Sequence, residues 1–133
     1  MADTGTAALR ALVVAALLLA TTALMLATIA TAKAAGALAI GTCGAYGQAY
    51  DFPKQDAARE SALSQCQGQA CRVVATLRRS CAALAVDGIN PCGAHGWGKG
   101  ARLGSAQNDA LRGCYKDGGR DCVIRTFVCD AKG

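Results

Sequence analysis

The chain has 133 residues, eight cysteines, one histidine and a formal net charge of +5 at pH 7. This length fits one domain with a short appendage. The positive charges are scattered, apart from Arg78 and Arg79, so composition does not indicate a nucleic-acid-binding patch. An even and dense set of cysteines in a short chain is typical of a disulfide-bonded domain in an oxidising compartment.

The N-terminal segment, residues 1–35, is predicted to be a targeting sequence and not part of the fold. Residues 11–32 carry no charge and are dominated by Ala, Leu, Val and Thr. The small-residue sites Ala32-Lys33-Ala34 and Ala34-Ala35-Gly36 favour a cleaved signal peptide. The length of the run favours an uncleaved membrane anchor, since about 20 apolar residues span a bilayer. The first alternative makes the protein periplasmic or secreted. The second anchors it in the inner membrane with residues 36–133 outside the cytoplasm.

The remaining chain, residues 36–133, contains an internal duplication with repeats at about 36–80 and 81–130. The motif Cys-Gly-Ala-Tyr-Gly at residues 43–47 recurs as Cys-Gly-Ala-His-Gly at residues 92–96. Each copy precedes a stretch that ends Ala-Leu-x-x-Cys, and a second cysteine then opens an apolar run. The domain is therefore predicted to be built twice from one unit.

In chain order, each repeat predicts a strand, a helix and a second strand. Short apolar runs at residues 37–40 and 83–86 are typical of buried strands. Alanines spaced four residues apart before Cys66 and Cys114 indicate helices with a narrow apolar stripe, and the Gly-rich segments before the helices are predicted to be loops. The sequence thus predicts an α+β fold of duplicated βαβ repeats, with about four antiparallel strands in one sheet and both helices on one face.

Several of these motifs together resemble one bacterial family. They are the Ala-Leu-x-x-Cys endings, the Cys-Arg-Val-Val run at residues 71–74, the Cys-Ala-Ala-Leu-Ala run at residues 81–85 and the cysteine-bounded run at residues 122–129. The family is catalogued as domain of unknown function 4189, and the resemblance covers about residues 36–129. It implies a small exported protein and supplies no catalytic residues. The cysteines that match its pattern are Cys66, Cys71, Cys81, Cys114, Cys122 and Cys129, so Cys43 and Cys92 are an additional pair.

The duplication narrows the many connectivities that eight cysteines allow. It favours Cys66–Cys71, Cys114–Cys122, Cys81–Cys129 and Cys43–Cys92. The first two pairs are local and occupy equivalent places in the two repeats. A ferredoxin-like strand order would put Cys81 and Cys129 too far apart for a disulfide, so either this pair or that strand order is wrong.

The sequence contains few candidates for a catalytic or metal site. The cysteine spacing closest to a zinc motif is Cys66-x4-Cys71, and a structural disulfide explains it better than a metal does, so no cofactor is predicted. His95 is the only histidine. It would serve a small envelope enzyme together with a carboxylate, but it also replaces Tyr46 of the first repeat, which indicates an aromatic packing role.

The predicted function is a non-catalytic interaction domain of the bacterial cell envelope. Its expected partner is an envelope protein or a component of the cell wall or membrane surface, and not nucleic acid. Exposed aromatic and basic side chains on Gly-rich segments suit such a role, although Trp97 would equally fill a small core. The alternatives are a membrane-anchored accessory subunit and the small enzyme that uses His95. The candidate binding residues are Tyr46, Tyr50, His95, Trp97, Lys99 and Arg102.

Overall fold

The computed structural model describes residues 4–27 and 34–130, which belong to two compact units divided after Ala32. The described part of the first unit is one helix, α1 (Thr4–Ala27). Within the described ranges, no helix is both long enough and apolar enough to cross a membrane. Ala32 and Lys33 of the predicted cleavage site lie outside the described residues.

The second unit contains two repeats with the same order of elements. Each repeat forms a three-stranded antiparallel sheet, with strand order β2-β1-β3 in sheet 1 and β5-β4-β6 in sheet 2. The first repeat contributes β1 (Ala35–Ile40), β2 (Tyr46–Phe52), α2 (Gln55–Gln65) and β3 (Arg72–Leu77), and the second contributes β4 (Cys81–Asp87), β5 (His95–Gly100), α3 (Leu103–Lys116) and β6 (Cys122–Cys129).

The mixed α and β composition is confirmed, but the predicted sheet is wrong. The structure has two three-stranded sheets in place of one four-stranded sheet, and each helix packs on its own sheet. Each repeat is ββαβ and not βαβ, because β2 and β5 lie in the Gly-rich segments that the sequence predicts as loops. The first and last strands of a repeat are neighbours, which a ferredoxin-like order does not allow.

The central strands β1 and β4 sort their side chains by size, because successive residues of a strand point to opposite faces. Leu38 and Ile40 of β1 pack against Leu84 and Val86 of β4 in one buried cluster between the two sheets. The alternate residues of both strands are mostly alanine and pack against α2 or α3. The layers are therefore helix, sheet, sheet and helix, with the large side chains in the middle.

The small residues on the outer faces let the helices approach the sheets very closely. A Cβ atom on Gly47 of β2 would collide with the backbone of α2 at Ala62. A Cβ atom on Gly96 of β5, the equivalent glycine, would collide with the backbone of α3 at Ala110 and Cys114. These glycines of the duplicated motif are therefore packing positions, where any side chain would push the helix away from the sheet.

Every cysteine of the chain is in a disulfide. The pairs are Cys43–Cys92, Cys66–Cys71, Cys81–Cys129 and Cys114–Cys122, the same four that the duplication favours. Cys81 and Cys129 lie opposite each other on the neighbouring strands β4 and β6, while Cys43–Cys92 is the disulfide that joins the two repeats. Four disulfides indicate an oxidising location outside the cytoplasm.

Candidate functional site

Strand β5 alternates glycines with large polar or aromatic side chains. Gly96 and Gly98 face α3, where no Cβ atom would fit. His95, Trp97 and Lys99 therefore project from the opposite face, the face that carries Leu84 of the neighbouring strand β4. Because β5 is an edge strand, these three side chains line the border of the molecule and do not enter the closed core.

Trp97 is the most accessible large aromatic group on this strand, with 41% of its surface exposed. Its register partner Leu84 is 1% exposed. The equivalent residue of the first repeat is Gln48, which lies opposite Leu38 in the same register. Gln48 accepts a hydrogen bond from the Thr126 hydroxyl of sheet 2, with 3.0 Å between the oxygens. Trp97 thus occupies a position that in the first repeat joins the two sheets.

A shallow depression of about 350 Å³ lies beside Trp97, where the start of β5 meets the end of α3. We call this region the Trp97 surface, and its lining residues are His95, Gly96, Trp97, Gly113, Lys116 and Asp117. The Asp117 carboxylate accepts a hydrogen bond from the His95 backbone N–H at 3.1 Å, and it lies 3.7 Å from Nδ1 of the His95 ring. The depression therefore carries charges of both signs beside the strand that bears Trp97.

Lys116 and Asp117 were not among the residues predicted from the sequence. They end α3, some 20 residues after Trp97, and only the packing of α3 on β5 brings them to the same surface. The sequence does contain one indication of this packing, because glycines that alternate along a strand are typical of a close approach by another backbone. The glycines alone do not predict which turn of the helix packs on which end of the strand.

Lys99 and Arg102, which are predicted to bind a partner, lie outside the Trp97 surface. Lys99 donates a hydrogen bond from Nζ to the Thr76 carbonyl oxygen of β3, at 2.6 Å, so it links sheet 2 to sheet 1. Arg102 is the residue that precedes α3, and its side chain makes no capping hydrogen bond to the helix. Neither residue lines the Trp97 surface.

Tyr46 and Tyr50 lie on β2 of sheet 1, away from the Trp97 surface. Tyr46 is half-buried against the core between the sheets and lines a different depression, whereas Tyr50 has 58% of its surface exposed. The six predicted residues thus do not form one site. The depression beside β5 is lined by His95 and Trp97 and by none of the other four, although Lys99 lies on the same face of β5 as these two.

A third depression, of about 310 Å³, lies where the Cys43–Cys92 disulfide joins the repeats. Its lining includes Leu84 and His95, together with the turns around the two cysteines. His95 therefore borders both this depression and the Trp97 surface. All cysteines are bonded, and within residues 4–27 and 34–130 no group of three or more His, Cys, Asp or Glu side chains is arranged to hold a metal ion.

Two carboxyl groups outside the Trp97 surface have shifted pKa values. Hydrogen bonds from the backbone N–H groups of Arg120, Ile89 and Asn90 lower the pKa of Asp87, which ends β4. Burial raises the pKa of Asp130, whose Oδ1 atom has no hydrogen-bond partner among the described residues. The Asp87 carboxylate thus accepts hydrogen bonds from two loops, and Asp130 is a buried carboxyl group directly after β6.

The fold and these contacts define the class of the protein: a disulfide-bonded α/β domain made of two ββαβ repeats, with exposed aromatic groups on its edge strands, Trp97 of β5 among them. The chain belongs to the family described as Domain of unknown function (DUF4189), whose model matches residues 35–129. This match covers both repeats and all four disulfides. Neither the curated proteins nor the solved structures include one that matches the chain.

Proposed function

We propose that the protein is an exported, non-catalytic binding domain of the bacterial cell envelope, and that it contacts an envelope protein through the Trp97 surface. The observation that carries this proposal is the half-exposed indole of Trp97 on the edge strand β5. Exposed tryptophan is costly in water and is enriched among the residues that dominate binding energies. Burying this side chain in a partner recovers that cost.

The surroundings of Trp97 support a protein partner. Lys116 and Asp117 line the depression beside Trp97 and carry opposite charges, an arrangement that favours a partner with complementary charges over a purely apolar surface. The outer edge of β5 is unpaired among the described strands, so an extended segment of a partner can add its backbone there. The rigid disulfide-bonded sheets keep this edge ordered, which lowers the entropic cost of binding.

We further propose that the leader is removed during export by a cut after Ala34. Ala35 is 1% exposed and pairs with Phe52 at the start of β1, so a cut after Ala34 leaves that strand complete. A cut two residues later would remove Ala35 and Gly36 from the sheet. Intact mass of the protein purified from the periplasm or the medium tests this, and a full-length mass from the membrane fraction would contradict it.

A second candidate function, a small envelope enzyme, rests on the distance of 3.7 Å between His95 Nδ1 and Asp117 Oδ2. A histidine oriented by a carboxylate is the arrangement of a general base. His95→Ala distinguishes the two functions, because an enzyme loses its catalytic activity entirely, while a binder that relies on Trp97 loses only the part of its affinity that His95 supplies as a lining residue. Asp117→Asn is a second probe, since it keeps an oxygen that can accept from the His95 N–H.

The proposed binding function is tested by capture from envelope extract with an immobilised domain. Trp97→Ala removes the indole, and Phe127→Ala is the matched control because Phe127 is also aromatic, is 49% exposed and lies on the opposite edge strand of the same sheet. We expect Trp97→Ala to lose the captured partner and Phe127→Ala to retain it. Equal capture by both variants would contradict the proposal.

A further inference from the structure

The first repeat carries a depression at the place equivalent to the Trp97 surface, where the start of β2 meets the end of α2. Its volume is about 430 Å³. We call it the Arg125 pocket, and its lining residues are Thr42, Cys43, Gly44, Ala45, Tyr46, Gln65, Gln67 and Arg125. Seven of these eight belong to the first repeat, and Arg125 reaches it from β6 of the second.

A β-bulge explains how Arg125 comes to line this pocket. The pairing of β4 with β6 shifts between Leu84 and Ala85, whose partners are Thr126 and Ile124, so Arg125 is the extra residue. Ile124 packs toward α3, whereas the guanidinium Nε of Arg125 would lie 3.8 Å from a Cβ atom placed on Gly44 of the first repeat. Bulges redirect side chains in this way and are frequent beside binding sites.

The equivalent bulge in the first repeat carries an apolar residue. The pairing of β1 with β3 shifts between Leu38 and Ala39, whose partners are Ala75 and Val73, and the extra residue is Val74. Val74 packs against the core between the sheets. The two repeats thus share the bulge, but only the second uses it to present a cation at the border with the other repeat.

The cation of Arg125 is uncompensated in this pocket. The lining contains no Asp or Glu, and within the part of the chain that the structure describes, the ion pairs are His95–Asp117 and Arg112–Asp109. The Trp97 surface differs, because its lining contains the carboxylate of Asp117 as well as the ammonium group of Lys116. An anion is therefore attracted to the Arg125 pocket and not to its counterpart.

The other polar groups of the pocket are amides and hydroxyls. The side chains of Thr42, Tyr46 and Gln67 make no hydrogen bond to any described residue, and Gln65 uses Nε2 on the Ser61 hydroxyl, which leaves Oε1 to accept. Amides and hydroxyls both donate and accept hydrogen bonds, as the hydroxyl groups of a sugar do. Tyr46 also lines the pocket, and an aromatic ring is a group against which a sugar ring can pack.

We propose that the Arg125 pocket binds an acidic saccharide, with the Arg125 guanidinium on the carboxylate and the amides and hydroxyls on the sugar hydroxyls. Guanidinium pairs with carboxylate through two parallel N–H···O bonds, which gives both orientation and affinity. This site is separate from the Trp97 surface and adds a second ligand class to the domain.

The test is a titration of the isotope-labelled protein with glucuronate, followed by NMR at the backbone amides, with glucose and acetate as probes that lack the charge and the sugar, respectively. We expect glucuronate to shift the amides of Thr42, Tyr46 and Gln67, and to bind about tenfold more tightly than either control. Arg125→Gln should weaken glucuronate binding about tenfold. Arg72→Gln is the matched control, because Arg72 is an exposed arginine on β3, the equivalent strand of the first repeat.

Four results would overturn the proposal: no response to glucuronate, an equal response to glucose, equally tight binding of acetate, or glucuronate binding that survives Arg125→Gln. Trp97→Ala is included as a further variant and should leave glucuronate binding unchanged. Failure of the Trp97-dependent capture and failure of saccharide binding are thereby distinguished. Unchanged amide spectra at positions remote from Arg125 show that the variant remains folded.

Discussion

Gly96 of β5 packs directly on the backbone of α3 at Ala110, in space that any Cβ atom would need. This contact explains why the motif at residues 92–96 ends in glycine and why β5 contains a glycine at every second position. It also explains the exposure of Trp97, since the alternation that turns the glycines toward the helix turns the indole away from it.

Replacement of Gly96 by alanine should therefore lower the free energy of unfolding by about 3 kcal/mol, because the collision is with backbone atoms that cannot rotate aside. Gly104→Ala is the control, since a Cβ atom there meets nothing within 4 Å and the residue lies in α3. That variant should be equally or slightly more stable, by about 0.5 kcal/mol. Denaturant unfolding measures both, and equal stability of the two variants would contradict the packing assigned to Gly96.

Lys99 should contribute to stability and not to partner capture. Its ammonium group donates to the Thr76 carbonyl across the two sheets at 2.6 Å, so Lys99→Met should lower the free energy of unfolding by about 1 kcal/mol. Lys54→Met, which changes an exposed lysine with no side-chain partner among the described residues, should have little effect. If Lys99→Met keeps its stability but no longer captures a partner from envelope extract, Lys99 has a role in binding and this prediction is contradicted.

The Cys43–Cys92 disulfide should stabilise the domain more than Cys66–Cys71 does. The two cysteines are 49 residues apart in the first pair and five apart in the second, and a longer closed loop removes more entropy from the unfolded chain. Replacing both cysteines by alanine should cost about 4 kcal/mol for the first pair and about 2 kcal/mol for the second. Unfolding in denaturant with the other three bridges intact measures the difference, and a larger cost for the local pair would contradict the entropic account.

Asp87 should stabilise the fold fully above pH 3.8 and lose this contribution as the pH falls through its lower folded-state pKa. Backbone N–H groups of Arg120, Ile89 and Asn90 donate to its carboxylate and lower the pKa from 3.8. Below pH 3.8 the unfolded state then binds protons before the folded state does, so acid favours unfolding. Asp87→Asn should be less stable than the wild type at pH 7, and thermal unfolding should show the difference shrinking toward pH 2. A constant difference over that range would contradict this assignment.

The contribution of Asp130 to stability should change with pH in the opposite direction to that of Asp87. Burial raises its pKa above 3.8, with a smaller contribution from the nearby charge of Asp51. The folded state binds the proton more tightly, so stability falls as the pH rises from 3.8 through the folded-state pKa. Asp130→Asn removes the buried charge and keeps an oxygen for the Arg79 N–H. It should be more stable than the wild type at pH 7 and similar at pH 3, and a variant destabilised equally at both values would show that the carboxylate is needed for another reason.

The sequence alone predicts the repeats and the four disulfide pairs, because the duplication places equivalent cysteines at equivalent positions. It does not predict β2 and β5, because glycine at every second position of β5 gives little intrinsic strand preference. The strands form because the helices pack on them. The sequence does not predict the two-sheet arrangement, although β1 contains a signal of it, since the large residues Leu38 and Ile40 alternate with alanines that are just as buried.

The sequence likewise predicts only part of the candidate site. His95 and Trp97 stood out as chemically unusual residues on a Gly-rich segment, and the structure places both on one surface. Asp117 and Arg125 were missed because each reaches its depression from an element that lies far away in sequence. Arg125 depends in addition on a β-bulge, which the pattern of residues 122–129 does not reveal.

The binding role of Trp97 is tested most directly by its own spectroscopic signal, since the chain contains one tryptophan. Fluorotryptophan incorporated at this position gives one ¹⁹F NMR resonance, which can be followed in unpurified mixtures. We predict that envelope extract shifts or broadens this resonance and that cytoplasmic extract leaves it unchanged. A resonance that stays the same in both extracts, with a folded protein, would contradict the proposal that Trp97 contacts an envelope partner.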